Sequence, residues 1–299
     1  MGKLPIPPSL KRILVPIWNE GHRLGWLARD YGSACLQGRW GHCSVCGRFR
    51  PMLYRRRVIP RRLEELWGLT PRLAVALARK ESSHCARCGA KLRARRMAEV
   101  ILQTYPVGSP PAPARSLAEW TRSQEAQRLR VAEINLIEGL HEQLTGLPSF
   151  RFADYRPGAA AGEIVDGIRS EDLTRLTYPD ASFDLVLTSE SLEHVPDLTA
   201  ALREIYRVLV PGGMHIFTIP LLPGIEKTYA RTEVRPDGTL VHLAPRICHP
   251  GGDVGYPVFT EFGTDVSEIL RQSGFEPTIH FGPTTEDDLA QVYVCRRTF

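Results

Sequence analysis

From Val131 onward, short apolar runs alternate with amphipathic stretches, and this alternation restricts the fold more than any other feature of the 299 residues. A parallel sheet covered on both faces needs such a pattern, because its strands are buried on both sides and helices must cross between them. The candidate strands are Ala132–Ile137, Phe150–Asp154, Ile164–Ile168, Phe183–Thr188 and Met214–Ile219, followed later by "PTIHF" and "QVYVC". Between Asp197 and Val210, the residues Leu198, Ala201, Leu202, Ile205, Tyr206 and Leu209 share one helical face, and the "PGG" that follows is expected to end the helix. The pattern predicts an α/β domain over 117–299. It is interrupted by an insert at 221–257 that carries a turn at Pro236-Asp237-Gly238 and the glycines Gly251, Gly252 and Gly255. The insert reads either as a lid over an acceptor pocket or as a solvent loop.

The first part of the chain differs in character. Residues 1–130 hold 25 Lys+Arg against 8 Asp+Glu, a net +17, whereas residues 131–299 hold 13 against 25, a net −12. The basic runs Arg48–Arg62 and Lys91–Arg96 either face the acidic half or attract phosphates, on nucleic acid or on a nucleotide-linked substrate. Two Cys-x-x-Cys-Gly turns, Cys43/Cys46 and Cys85/Cys88, stand 38 residues apart. Each turn aims two thiolates at one point, so the four predict a tetrahedral zinc site in a module over about 40–101. His42 and His84 adjoin the pairs as possible substitutes. A proline-punctuated start precedes a loosely helical stretch at Leu14–Leu27, and the proline-rich segment 106–116 is expected to link a basic region, 1–105, to the α/β domain. Ser116, with Glu119 three residues on, predicts a capped helix. The longest early apolar run, Ile13–Trp18, is far short of the roughly 20 residues of a membrane span, and no secretion signal is evident, which predicts a cytoplasmic protein without a membrane partner.

The stretch Glu171–Pro220 contains, in order, "EDLTRLTYPDASFDLVLTS", "LEHV", "REIYRVLVPGG" and a strand ending in proline. It resembles the second half of a class I S-adenosylmethionine-dependent methyltransferase of the type 11 group, over roughly Val131–Phe299. The resemblance implies a Rossmann-like, mostly parallel seven-stranded sheet with its last strand antiparallel, and a cofactor held across the carboxyl ends of the strands.

On that resemblance, Asp154 at the end of the second strand, with Tyr155 beside it, would hold the ribose, or Asp154 would cap the next turn. Asp172 and Leu173 would receive the adenine unless "SEDL" is a capped turn. Ser189 and Glu190 would pass the methionine end, Glu190 being otherwise a solvent-facing acid. The family's first loop is rich in glycine, but here "NLIEGLHEQL" offers Gly139 alone, with Glu138 available for the methionine ammonium. Leu140 and His141 are expected to border the cofactor there and to weaken its binding. His194 of "LEHV" and His249 of the insert are the candidate bases for a hydroxyl acceptor, or else structural and inert. Three functions are compatible with the sequence: methylation of a hydroxyl or amine on a polar small molecule such as a nucleotide-linked sugar, methylation of RNA gripped by the basic zinc module, or a silent methyltransferase-like scaffold.

Overall fold

The computed structural model describes residues 29–54, 59–221, 224–235, 237–249, 255–282 and 289–298, the Leu66 side chain excepted. The proline-punctuated start, the helical stretch expected at Leu14–Leu27, Arg55–Arg57, Pro236, Gly251 and Gly252 lie outside them.

The chain first builds a small three-stranded antiparallel sheet from β1 (Trp40–His42), β2 (Phe49–Leu53) and β3 (His84–Cys85). Between β2 and β3 runs α1 (Pro71–Ser82), capped by the Thr70 side chain, which accepts from the Leu73 N–H. After β3 comes α2 (Leu92–Thr104), whose Ala94, Met97, Ala98 and Ile101 recur at helical spacing and are buried. That stripe lies on one face of the main sheet, in a cluster with Val131, Leu185, Leu187, Ile216, Val292 and Val294.

The main sheet contains β4 (Val131–Ile134), β5 (Phe150–Asp154), β6 (Ile164–Val165), β7 (Ile168–Ser170), β8 (Phe183–Ser189), β9 (Leu209–Thr218), β10 (Phe275–His280) and β11 (Val292–Arg297). The spatial order is β10-β11-β9-β8-β4-β5-β7-β6. Strands β9, β8, β4, β5 and β7 run parallel, and β11 runs antiparallel between β9 and β10. The opposite face is covered by α3 (Leu198–Val208) and α4 (Val266–Gln272), which bury Ala201, Leu202, Ile205, Val208, Val266 and Leu270.

The expected parallel sheet forms, with four local differences. The strand expected over Ile164–Ile168 is a hairpin, because Asp166 and Gly167 both take positive φ and turn the chain back; this adds an eighth, edge strand. β4 stops at Ile134, where Asn135 takes φ +68°. The helix expected after Ser116 is two short turns, Leu117–Trp120 and Gln124–Gln127, since Ser123 starts a second cap. α3 ends at Val208 and the "PGG" lies inside β9, where a register shift opposite Phe183–Leu185 absorbs it. Among the described residues, no helix is long and apolar enough to cross a membrane.

Candidate functional site

In the cysteine module, the N–H groups of Gly47 and Gly89 donate to the Cys43 and Cys85 carbonyls, and both glycines take positive φ, which closes the two tight turns. The turns bring all four sulfurs within 4.8 Å of one another, with Cys43–Cys88 at 3.7 Å and Cys46–Cys85 at 3.9 Å. No pair is bonded. Four sulfurs at the zinc–sulfur distance of about 2.3 Å would stand about 3.8 Å apart at tetrahedral corners, so the donor set fits a tetrahedral ion. The neighbouring histidines are turned elsewhere. His84 Nδ1 meets the Ser82 carbonyl at 2.8 Å, and His42 is exposed.

The second constellation lies at the carboxyl ends of β4, β5, β7 and β8. Glu133 points inward from β4 and is fully buried; its carboxylate accepts from the Ile137 N–H at 2.7 Å and meets His141 Nδ1 at 2.6 Å. Burial raises this carboxyl despite those partners. Glu133 therefore holds the loop 135–141 in shape without a run of glycines. Gly139, at φ +89°, approaches the cysteine module: a Cβ there would stand 2.6 Å from the Ala90 Cβ. Leu140 is fully buried in the core with Ile137 and Leu144. Leu140, expected to border a cofactor, thus fills the core, and His141 is tied to Glu133; neither is among the residues that line the cavity beside Glu138.

The module supplies cations to this loop. Lys91 Nζ lies 3.1 Å from Glu138, and Arg93 pairs with Glu81. Lys80, in the buried face of α1, reaches Glu190 at 2.9 Å; Lys80 is 1% exposed. Burial pushes the Glu190 carboxyl up, but Lys80 and Arg93 outweigh it and hold the group below its ordinary value. Glu190 sits at φ +50° just past β8 and is not a solvent-facing acid. Together, Lys91, Arg93, Ala94, Leu136, Ile137, Glu138 and Ser189 line a cavity of about 140 Å³. It holds both charge signs. Ser189 Oγ also meets Thr218 Oγ1 at 2.8 Å.

At the other end, Asp154 lies 3.4 Å from Arg156, and Tyr155 is mostly exposed. The Asp172 Oδ1 accepts from both the N–H and the hydroxyl of Thr174, which is the capped-turn arrangement, and Leu173 is buried among Leu176 and Tyr178. Leu173 is thus a core side chain.

The third group follows β8. Glu193 and His194 belong to a short 3-10 turn, Leu192–His194, while His249 comes from the insert on the strand pair Cys248–His249 and Tyr256–Pro257. His249 Nδ1 is 3.2 Å from His194 Nε2, and each lies 3.6 Å from Glu193 Oε1. His194 Nδ1 donates to the Pro257 carbonyl at 2.8 Å, which leaves Nε2 as the lone-pair nitrogen. Burial lowers both imidazoles, His249 to about 4 with help from His194. The insert's expected hairpin also forms, with Thr232–Val234 against Leu240–His242.

Lys80, Arg93, Glu133 and Glu193 are functional candidates that pattern reading passed over. A cue existed for two of them: Lys80 shares the helical face of Ala76 and Leu77, and Glu133 interrupts an apolar strand.

Residues 153–217 match the family model described as a methyltransferase domain. The chain is 35% identical over 122 residues to the ubiquinone/menaquinone biosynthesis C-methyltransferase of Hydrogenovibrio crunogenus, covering 36% of this chain and 48% of that protein. It is 55% identical over 42 residues to 27-O-demethylrifamycin SV methyltransferase of Amycolatopsis mediterranei, covering 14% and 15% respectively. The chain therefore spans about half, or less, of the length of the curated relatives it matches. Among solved structures, an S-adenosylmethionine dependent methyltransferase from Mesorhizobium loti aligns over 56% of this chain and 91% of its own, with 20% identity and a TM-score of 0.37. The match to the methyltransferase-domain family is confined to the segment from the end of β5 to β9.

Proposed function

We propose that the chain is an S-adenosylmethionine-dependent methyltransferase that transfers a methyl group to a hydroxyl or amine of a polar small molecule, with nucleotide-linked sugars as the class to test first. The observation that carries this is the mixed-charge cavity where β4 and β8 end, next to the segment that matches the family. Its volume is below the roughly 300–1,000 Å³ of whole-ligand pockets and suits the zwitterionic amino-acid end of the cofactor. Glu138 is the partner for the ammonium, Arg93 and Lys91 for the carboxylate, with Gly139, Ser189 and Glu190 around them. Asp154 accepts from the ribose hydroxyls beside Tyr155, and Asp172 with the backbone at Leu173 faces the base. When bound, S-adenosylmethionine supplies a methyl group on a sulfonium, and the protein's part is to align the acceptor with it. A hydroxyl acceptor must also lose a proton. His194 and His249 are the groups to take it, because burial keeps both unprotonated at neutral pH. The names of the two curated relatives specify different acceptor atoms, carbon in one and oxygen in the other. Cys43, Cys46, Cys85 and Cys88 hold one structural zinc, and the protein works in the cytoplasm. Lys80 and Lys91 meet Glu190 and Glu138, which favours a basic half that faces the acidic half rather than RNA.

Calorimetric titration with S-adenosylhomocysteine tests the reading. Binding is expected, and Asp154→Ala should weaken it by about 1.5–3 kcal/mol, roughly 10- to 150-fold. Folded protein that takes up no ligand at millimolar concentration would refute it.

A further inference from the structure

We propose that Glu193, His194 and His249 form a second metal site, one that takes a divalent first-row transition-metal ion. Three donor atoms converge there: a carboxylate oxygen and two imidazole nitrogens, separated by 3.2, 3.6 and 3.6 Å. Ligands about 2.1 Å from one ion lie about 3.0 Å apart at adjacent octahedral corners and about 3.4 Å apart at tetrahedral ones, so little movement is needed to enclose an ion.

A second, independent observation points the same way. Glu193 has no exposed surface, and neither carboxylate oxygen has a hydrogen-bond partner among the described residues. An ionised carboxylate buried in that way is costly unless it is paired or coordinates a cation. The Lys80 ammonium is bonded to Glu190 at 2.9 Å and makes no hydrogen bond to Glu193. The outer contacts are also those of a ligand set. The Pro257 carbonyl fixes the His194 ring with Nε2 facing the cluster, and the His249 ring packs edge-on against Trp67 at 6.4 Å. Two imidazoles and one carboxylate suit zinc, iron, cobalt, nickel or manganese better than calcium or magnesium, and three protein ligands leave coordination positions open. The site is separate from the four cysteines.

An ion held on His194 Nε2 and His249 Nδ1 would occupy the lone pairs named above as proton acceptors, so the metal role replaces the base role at these atoms; its readout is metal content and needs no methyl transfer. The full chain, purified under reducing conditions, is dialysed against zinc chloride, passed through a desalting column and assayed for metal by plasma mass spectrometry. Wild-type protein should carry about one equivalent more than His249→Ala and than Glu193→Gln, while His242→Ala, on an exposed position of the insert, should match wild type. Circular dichroism checks that each variant is folded; if Glu193→Gln is not, His249→Ala decides. Equal metal content in wild type and a folded His249→Ala would overturn the proposal, as would a parallel loss in His242→Ala, which would mark adventitious surface binding.

Discussion

His215 stands in the middle of β9 with no exposed surface, its ring stacked on Phe217 and its Nε2 3.0 Å from Thr188 Oγ1. Burial lowers its pKa to about 3, against about 6.5 in an unfolded chain. Between those values the unfolded state binds the extra proton, so the stability associated with this residue is complete above about pH 6.5 and is lost as pH falls towards 3. One unit is about 1.4 kcal/mol, which makes the loss up to about 5 kcal/mol. The urea midpoint of wild type should therefore fall relative to that of His215→Phe as the pH drops from 7 to 4.5, because phenylalanine keeps the stacking and cannot titrate. Parallel curves would show that His215 does not titrate in this way. Gly139 makes a different single-residue point. Its missing side chain admits Ala90 of the cysteine module, so the one glycine in the loop is needed for contact within the protein.

Among the secondary-structure elements, α1 carries the most consequential departure from pattern. Lys80 lies on the helix face that buries Ala76 and Leu77, and its ammonium ends on Glu190 beyond β8. Removing one partner of a buried ion pair costs roughly 3–5 kcal/mol because the other charge is stranded. Lys80→Met should lower stability by about that much in urea denaturation, and the double variant with Glu190→Gln should recover a large part of it; additive losses would show that the two do not depend on each other. Strands and helices were legible wherever periodicity was strong, as in β8, α3 and the antiparallel pair β10 and β11. The hairpin at Asp166-Gly167 was legible in principle, since Asp-Gly is a type I′ turn signal, but the apolar residues on either side read as one strand. The site was less legible. Cys43, Cys46, Cys85 and Cys88 announce themselves by spacing, whereas the meeting of His194 and His249, 55 positions apart, is set by how the insert folds back. Lys80 could not be paired with Glu190 in advance, because a contact across 110 residues depends on how one layer docks on another.

At the scale of the whole molecule, the cysteine turns and the sheet share one hydrophobic core. Cys43, Val45 and Cys85 belong to the same cluster as Met97, Ile101, Leu187 and Ile216. Metal removal should therefore destabilise the sheet as well as the small module. Stripping the protein with a zinc chelator under reducing conditions is expected to lower a single thermal midpoint by roughly 10 °C or more, since each kcal/mol lost moves Tm by ~2–4 °C in a chain of this size. A sheet transition left in place after the metal is gone would separate the two parts. The contacts across the boundary also constrain ancestry. Lys80, Ala90 and Lys91 find their counterparts in Glu190, Gly139 and Glu138, on stretches far downstream. A recombination event that delivered either half to a stranger would strand two lysines on one side or two acids on the other and could force a side chain against Ala90, so the halves can be inherited together but not shuffled as interchangeable cassettes.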